Sequence, residues 1–130
     1  MADLVIKADG LKPQDASMII PAVAGSAITL TTPAITLASD GKWDKTSGAS
    51  GVGHGLLVSI ENKTNTAADT DTIGVCVFGV LGGFTGLTPG AEVFLAATAG
   101  VLADSGSISV GYALTTETIM FMGAIAAIAS

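Results

Sequence analysis

Gly86-Leu87-Thr88-Pro89-Gly90-Ala91-Glu92-Val93-Phe94-Leu95-Ala96-Ala97-Thr98-Ala99-Gly100-Val101-Leu102 is the stretch that decides the fold. Thr88-Pro89-Gly90 signals a turn, because proline fixes its own φ and glycine accepts the positive φ that a type II turn requires. The stretches Ser107-Ile-Ser-Val-Gly-Tyr-Ala-Leu114 and Thr118-Ile-Met-Phe-Met-Gly123 follow, and together the three read as short strands joined by tight turns. In the second of them Ile108, Val110, Tyr112 and Leu114 alternate with Ser107, Ser109, Gly111 and Ala113. A period of two predicts a strand with one bulky face and one small face. The pattern serves packing and contains no catalytic signature.

Working toward the N-terminus, Ile73-Gly-Val-Cys-Val-Phe-Gly-Val-Leu81 is apolar at both alternating sets of positions, which predicts a strand buried on both faces. Leu56-Leu-Val-Ser-Ile-Glu61 predicts another, with Leu56, Val58 and Ile60 on one face and Ser59 and Glu61 on the other. Ala27-Ile-Thr-Leu-Thr-Thr32 places Ile28 and Leu30 inward, and Ile35-Thr-Leu37 repeats the pattern after Pro33, which imposes an edge position or a bend. Residues 39–55 read as a long loop rich in glycine and serine, and 62–71 as a polar loop. Strands at such short intervals, with no sustained helical periodicity, predict an all-β chain: a single compact β-barrel or β-sandwich.

Three regions follow from this reading: an N-terminal arm (1–25), a β-domain (26–123) and a short C-terminal tail (124–130). The arm is broken by Asp9-Gly10 and Lys12-Pro13 and carries the apolar insert Met18-Ile19-Ile20, which either lies on a neighbour or closes the barrel of its own subunit as a strand. The tail's alanines favour helix, but so short a segment is marginal alone in water, so it reads as docked on a surface, its own or a neighbour's.

Composition narrows the function classes. Of 130 residues 49% are hydrophobic and only 12% are charged, against about 25% in ordinary soluble domains, so charge cannot cover the surface. A surface so poor in charge points to assembly with other proteins, although 17 glycines and many alanines also raise the hydropathy without forming large patches. Five lysines stand with no arginine against 11 carboxylates, for a formal charge of −6. No basic footprint exists to neutralise phosphates, which excludes nucleic acid as a partner, and the missing arginine removes the usual bidentate reader of anions. The N-terminus lacks the basic start and apolar core of a signal peptide, and the apolar run 119–129 is too short to span a membrane, so no membrane partner is expected.

The residues with chemical potential are few. Cys76 is the sole cysteine and sits in the apolar strand, where a thiol behaves as a small hydrophobe and no disulfide is available. The sole histidine, His54, lies in Gly51-Val-Gly-His-Gly55, a glycine-rich run that a strand rather than a helix follows, so it is no phosphate loop. Asp40 with Asp44, and Asp69 with Asp71, are close enough to ligate Ca²⁺ but lack the run of alternating oxygen ligands of a calcium loop, and they read as turn caps. Glu61, Glu92 and Glu117 lie on or beside strands, where outward charge keeps edges soluble. The expectation is a protein that is not an enzyme, with no catalytic residue, metal or cofactor. Trp43, in a polar stretch, is either an interface anchor or a lid over a barrel end. The candidate interface residues are Met18, Ile19, Ile20, Trp43, Ile125 and Ile128.

A resemblance gives these features a context. The turn Leu87-Thr-Pro-Gly-Ala91, the aromatic-containing strand after it, Ala99-Gly100, then Val110-Gly-Tyr-Ala-Leu114 and a short closing strand resemble the β-domain of small head decoration (cement) proteins of tailed bacteriophages. The likeness runs from Asp40 to Phe121, and similar modules occur in phage tail and fibre proteins. It implies a structural protein of the virion that sits on the capsid exterior as a homotrimer and binds the major capsid protein so as to clamp neighbouring capsomers. The alternative is a β-module of a tail or fibre that binds a host-surface carbohydrate; a bacterial surface-layer or other self-assembling protein is a third reading.

Overall fold

The computed structural model describes residues 4–7, 10–14, 17–45, 54–61, 65–96, 98, 100–106 and 108–122. The N-terminal half contains β1 (Val5–Ile6), β2 (Lys12–Pro13), β3 (Met18–Val23), β4 (Ile28–Thr29), β5 (Ala34–Leu37), β6 (Trp43–Lys45), β7 (His54–Ile60) and β8 (Thr66–Ala67). The long β9 (Thr72–Gly82) leads into β10 (Phe84–Thr85), β11 (Glu92–Leu95), β12 (Leu102–Ala103), β13 (Ser109–Ala113) and β14 (Ile119–Phe121). The chain is all-β, as its periodicities predict, and its main sheet is a large curled antiparallel one in the order β12-β11-β13-β14-β9-β7-β5-β6.

β9 organises the molecule. Its first half is flanked by β3 on one side and β7 on the other, since Val75 pairs with both Ile20 and Leu57. Its second half is flanked by β2 and β14, since Leu81 pairs with both Pro13 and Ile119. One strand therefore serves two half-sheets. In the first half-sheet the curl brings the end of β3 against β6, where Ala24 bridges Trp43 and the Gly25 amide donates to the Trp43 carbonyl (2.8 Å).

Two cores result, one on each face of β9. Ile28, Ile35, Trp43, Leu57, Ile73 and Val75 fill the first, and Leu56, Cys76, Leu81, Phe84, Val110 and Phe121 belong to the second. The expectation that 73–81 is buried on both faces holds for Ile73, Val75, Cys76 and Leu81, whereas Phe78 is exposed. The face assignment of β7 needs correcting: Leu56 and Leu57 are both buried, in different cores, and Val58 is the extra residue where the register shifts between Leu57 and Ser59. A bulge of this kind flips the side chains beyond it, so Ile60 joins the core of Leu57 and not that of Leu56.

The meander β11-β13-β14 follows the stretch that opened the sequence reading. Gly90 has φ +87 and the Ala91 amide donates to the Thr88 carbonyl (3.0 Å), so Thr88-Pro89-Gly90-Ala91 is a turn with glycine at its left-handed position. The expected bulky face of β13 is divided. Val93 pairs with Gly111 and Phe94 with Ser109, which leaves Val110 as an extra residue. Val110 points into the core, whereas Tyr112 and Leu114 point out and small Gly111 and Ala113 are buried in their place. Gly111 is required there, because a Cβ would run into the backbone carbonyl of Met120 on β14.

Within residues 1–25 the described part is built into the body. β1 pairs with β10, β2 and β3 pair with β9, and Leu11 is fully buried. Of the two readings of Met18-Ile19-Ile20, the strand on its own subunit is the observed one. The expected loop 39–55 is shorter than its composition suggests, since Trp43–Lys45 pairs with β5 and β7 begins at His54.

Candidate interaction surface

β3 is an edge strand: among the described residues its only strand partner is β9. The Ala24 amide donates to the Asp71 carbonyl and the Ala24 carbonyl accepts from the Thr70 amide, so even-numbered residues of this segment aim their backbone groups at the β9 side. Odd-numbered Ile19, Pro21 and Val23 aim theirs outward. Proline occupies the middle of that outward set and offers no N–H, which interrupts the ladder a further strand would need. The edge is thus protected against strand addition while its side chains stay accessible.

Those side chains divide between two faces. Ile20 and Ala22 pack toward the core of Trp43. Ile19, 39% exposed, lies opposite Cys76 on the other face, with Pro21 opposite Gly74. With Ser59 and Ile60 of β7 they border a shallow open groove of about 630 Å³, rimmed by Glu61. Glycine at 74 shapes its floor: a Cβ there would collide with the Ser59 hydroxyl. Met18 stands apart. As the residue before Ile19 it lies on the opposite face, and because the register shift leaves Val77 of β9 as an extra residue, Met18, 59% exposed, stands directly opposite Phe78, itself 42% exposed.

The predicted interface residues therefore separate. Met18 and Ile19 are exposed, on different faces; Ile20 is half-buried against the core. Trp43 is 5% exposed, packed among Ala24, Ile28, Ile35 and Leu57, which makes it a core side chain of the subunit and removes it as a surface anchor. Ile125 and Ile128 lie outside the described residues. The sequence reading missed Phe78 and Tyr112, both exposed aromatics on strands, because period-two counting does not foresee the two bulges that turn them outward.

A second concavity of about 590 Å³ lies at the far end, bordered by Leu4, Val5, Leu87, Thr88, Glu92 and Asp104. Three other carboxylates hold turns or an ion pair. The Lys42 amide donates to Asp40 Oδ1 (3.0 Å), the Ala68 amide donates to Asp71 Oδ2 (2.8 Å), and Lys42 Nζ pairs with Asp69 at 3.4 Å. Among the described residues no three His, Cys, Asp or Glu side chains come together as a metal set. Burial pushes the Cys76 thiol above its ordinary range, the opposite of what activates a nucleophile. No helix among the described residues is long and apolar enough to cross a membrane.

Comparison with protein-family models, with curated proteins and with solved structures gave no match.

Proposed function

We propose that this chain is a capsid decoration protein, a non-catalytic β-domain that assembles as a homotrimer on the exterior of a tailed-phage head, binds the major capsid protein and bridges neighbouring capsomers. The observation that carries the reading is the mainly apolar groove along Ile19, Pro21 and Gly74, with Glu61 at its rim, on a strand whose edge is closed to further strands but whose apolar face is open. It supports recognition of a protein surface through side chains. The likeness of residues 40–121 to cement proteins and the low charge of the whole chain agree with it.

Such a protein works by mass action. A ligand that binds only the assembled, expanded shell stabilises that state by RT ln(1 + [L]/Kd), about 2.7 kcal/mol for each site at a hundredfold excess over Kd. Many modest contacts suffice, and none requires chemistry.

Light scattering gives the first test: a solution mass of three times 12.7 kDa is expected, and a monomer at all concentrations counts against the trimer. Co-sedimentation with expanded, undecorated heads then tests the partner. Saturable binding that Ile19→Asp abolishes supports decoration, and its absence from a panel of tailed-phage heads sinks it. The tail or fibre reading is favoured by one feature, the concavity where Glu92 and Thr88 stand beside Leu4 and Leu87. Saturable glycan binding lost in Glu92→Gln would establish that reading instead.

A further inference from the structure

The tip of the β5-β6 hairpin presents an aspartate and a glycine in succession, both in the open. Leu37 pairs with Trp43, and hydrogen bonds close the loop between them. The Ala38 amide donates to the Lys42 carbonyl (2.9 Å), the Gly41 amide to the Ala38 carbonyl (3.0 Å) and the Lys42 amide to Asp40 Oδ1 (3.0 Å). Gly41 has φ +83, the left-handed conformation that a three-residue hairpin loop takes at its last position. Asp40 and Gly41 are exposed, and nothing lies within 4 Å of where a Cβ on Gly41 would stand.

This arrangement sets a carboxyl carbon beside an unshielded backbone nitrogen. The bond from the Lys42 amide to Asp40 Oδ1 draws the carboxyl forward along the chain, over the intervening Gly41 peptide. Attack of the Gly41 nitrogen on Asp40 Cγ closes a five-membered ring, and groups held on adjacent residues need no encounter to react. Other aspartates lack one of these conditions. Asp44, Asp69, Asp71 and Asp104 precede Lys45, Thr70, Thr72 and Ser105, whose side chains crowd the nitrogen. In the chain's second Asp-Gly pair, Asp9-Gly10, the glycine is buried and its Cβ position is 3.0 Å from Leu30 Cβ, which leaves little space for a ring.

We propose that Asp40-Gly41 is a site of spontaneous covalent modification, the conversion of Asp40 to isoaspartate, and that the product loosens the hairpin's hold on Trp43. In the first step the Gly41 nitrogen bonds to Asp40 Cγ, the amide proton passes to solvent and the carboxyl's hydroxyl leaves as water, giving a cyclic imide. Water then opens either carbonyl of the ring. Opening at Cγ restores aspartate. Opening at the main-chain carbonyl leaves the backbone running through Cγ, one atom longer, with the former α-carboxyl as the side group and the net charge unchanged. A loop lengthened in this way cannot keep the Ala38–Lys42 and Ala38–Gly41 hydrogen bonds together, and those bonds hold Leu37 opposite Trp43. Trp43 belongs to a core, and its carbonyl accepts from the Gly25 amide at the end of β3, so the change reaches the place where that half-sheet closes.

The test is prolonged warming of the full chain in water enriched in heavy oxygen, beside Asp40→Ser, whose hydroxyl can accept from the Lys42 amide but cannot form the imide. The parent is expected to take up one heavy oxygen at each ring opening and to become a substrate for an isoaspartyl methyltransferase, with fragmentation placing the label at Asp40. Labelling should be several-fold lower in Asp40→Ser. Parent enriched in the isoaspartyl form should show red-shifted Trp43 emission and a lower denaturation midpoint than fresh protein. Label at Asp40 no higher than at Asp9 would overturn the site, and that comparison is read within the parent alone, whatever the folding of the variant. Isoaspartate at Asp40 with emission and midpoint unchanged would overturn the link to Trp43.

Discussion

Val75 and Cys76 are consecutive in the chain and both fully buried, yet they belong to different hydrophobic cores. Their partners on β7 repeat the division, Leu57 with Val75 and Leu56 with Cys76. The β7-β9 pair is thus a partition with a core on each side, and neither core closes without it. Unfolding is expected to be a single transition. Trp43 fluorescence reports one core and Tyr112 the far half-sheet, so urea curves from the two should coincide, and two separated midpoints would refute the shared partition. Leu56→Ala and Leu57→Ala should each cost about 2–5 kcal/mol and shift both signals together.

Burial raises the Cys76 pKa, and the sign of the effect on stability follows. Below the unfolded value, about 8.5, both states keep the proton and the thiol adds no pH dependence. Above it the unfolded chain releases the proton while the folded one retains it, so stability falls as pH rises toward the folded pKa. Denaturation midpoints should drop as the pH rises above about 8.5 in the parent and drop less in Cys76→Ala. Thiol labelling in the folded protein should be slow and follow the rate of opening; fast labelling at pH 8 would contradict the burial.

Trp43 is packed against Ala24, Ile28, Ile35 and Leu57, at the place where β6 meets the end of β3. Trp43→Ala is therefore expected to lower subunit stability by about 3–5 kcal/mol, a large part of the total for a domain of this size. Its emission should be blue-shifted in the native state and move red on denaturation. Unchanged subunit stability with weakened assembly would return Trp43 to the surface role that its polar neighbours suggest.

How far the fold was legible depended on which signals were local. The Thr88-Pro89-Gly90 turn could be read because proline and glycine act within four residues, and Gly90 has the positive φ predicted for it. The burial of Val75 and Cys76 on opposite faces could be read because apolar residues occupy both phases of that strand. What could not be read were the register shifts near Val58, Phe78 and Val110. Each depends on pairing with a distant strand and inverts the faces beyond it, which is why Tyr112 and Phe78 emerged at the surface unannounced. Trp43 misled for a related reason: its polar neighbours are those of a short outer strand, while its own side chain closes a core.

Two glycines should separate conformational strain from collision. Gly90 needs its left-handed φ but has nothing within 4 Å of where a Cβ would stand, so Gly90→Ala should cost about 1–2 kcal/mol. At Gly111 a Cβ would meet the Met120 backbone carbonyl, and no rotamer relieves backbone. Gly111→Ala should therefore cost clearly more than Gly90→Ala and separate β13 from β14. Midpoints from chemical denaturation give the comparison, and equal costs would mean that the two strands move apart freely.

Pro21 is the last case, and it concerns association more than stability. It faces the free edge of β3, where an N–H in its place would complete an outward ladder with those of Ile19 and Val23 beside an apolar face. Exposed edges with that pairing capacity template strand addition, and proline is one of the residues that prevent it. Pro21→Val restores the donor and keeps the side chain apolar, so the subunit should stay folded while self-association grows with concentration. Light scattering and amyloid-dye fluorescence across a dilution series measure both. If Pro21→Val is no more prone to associate than the parent, the edge is covered by something other than proline.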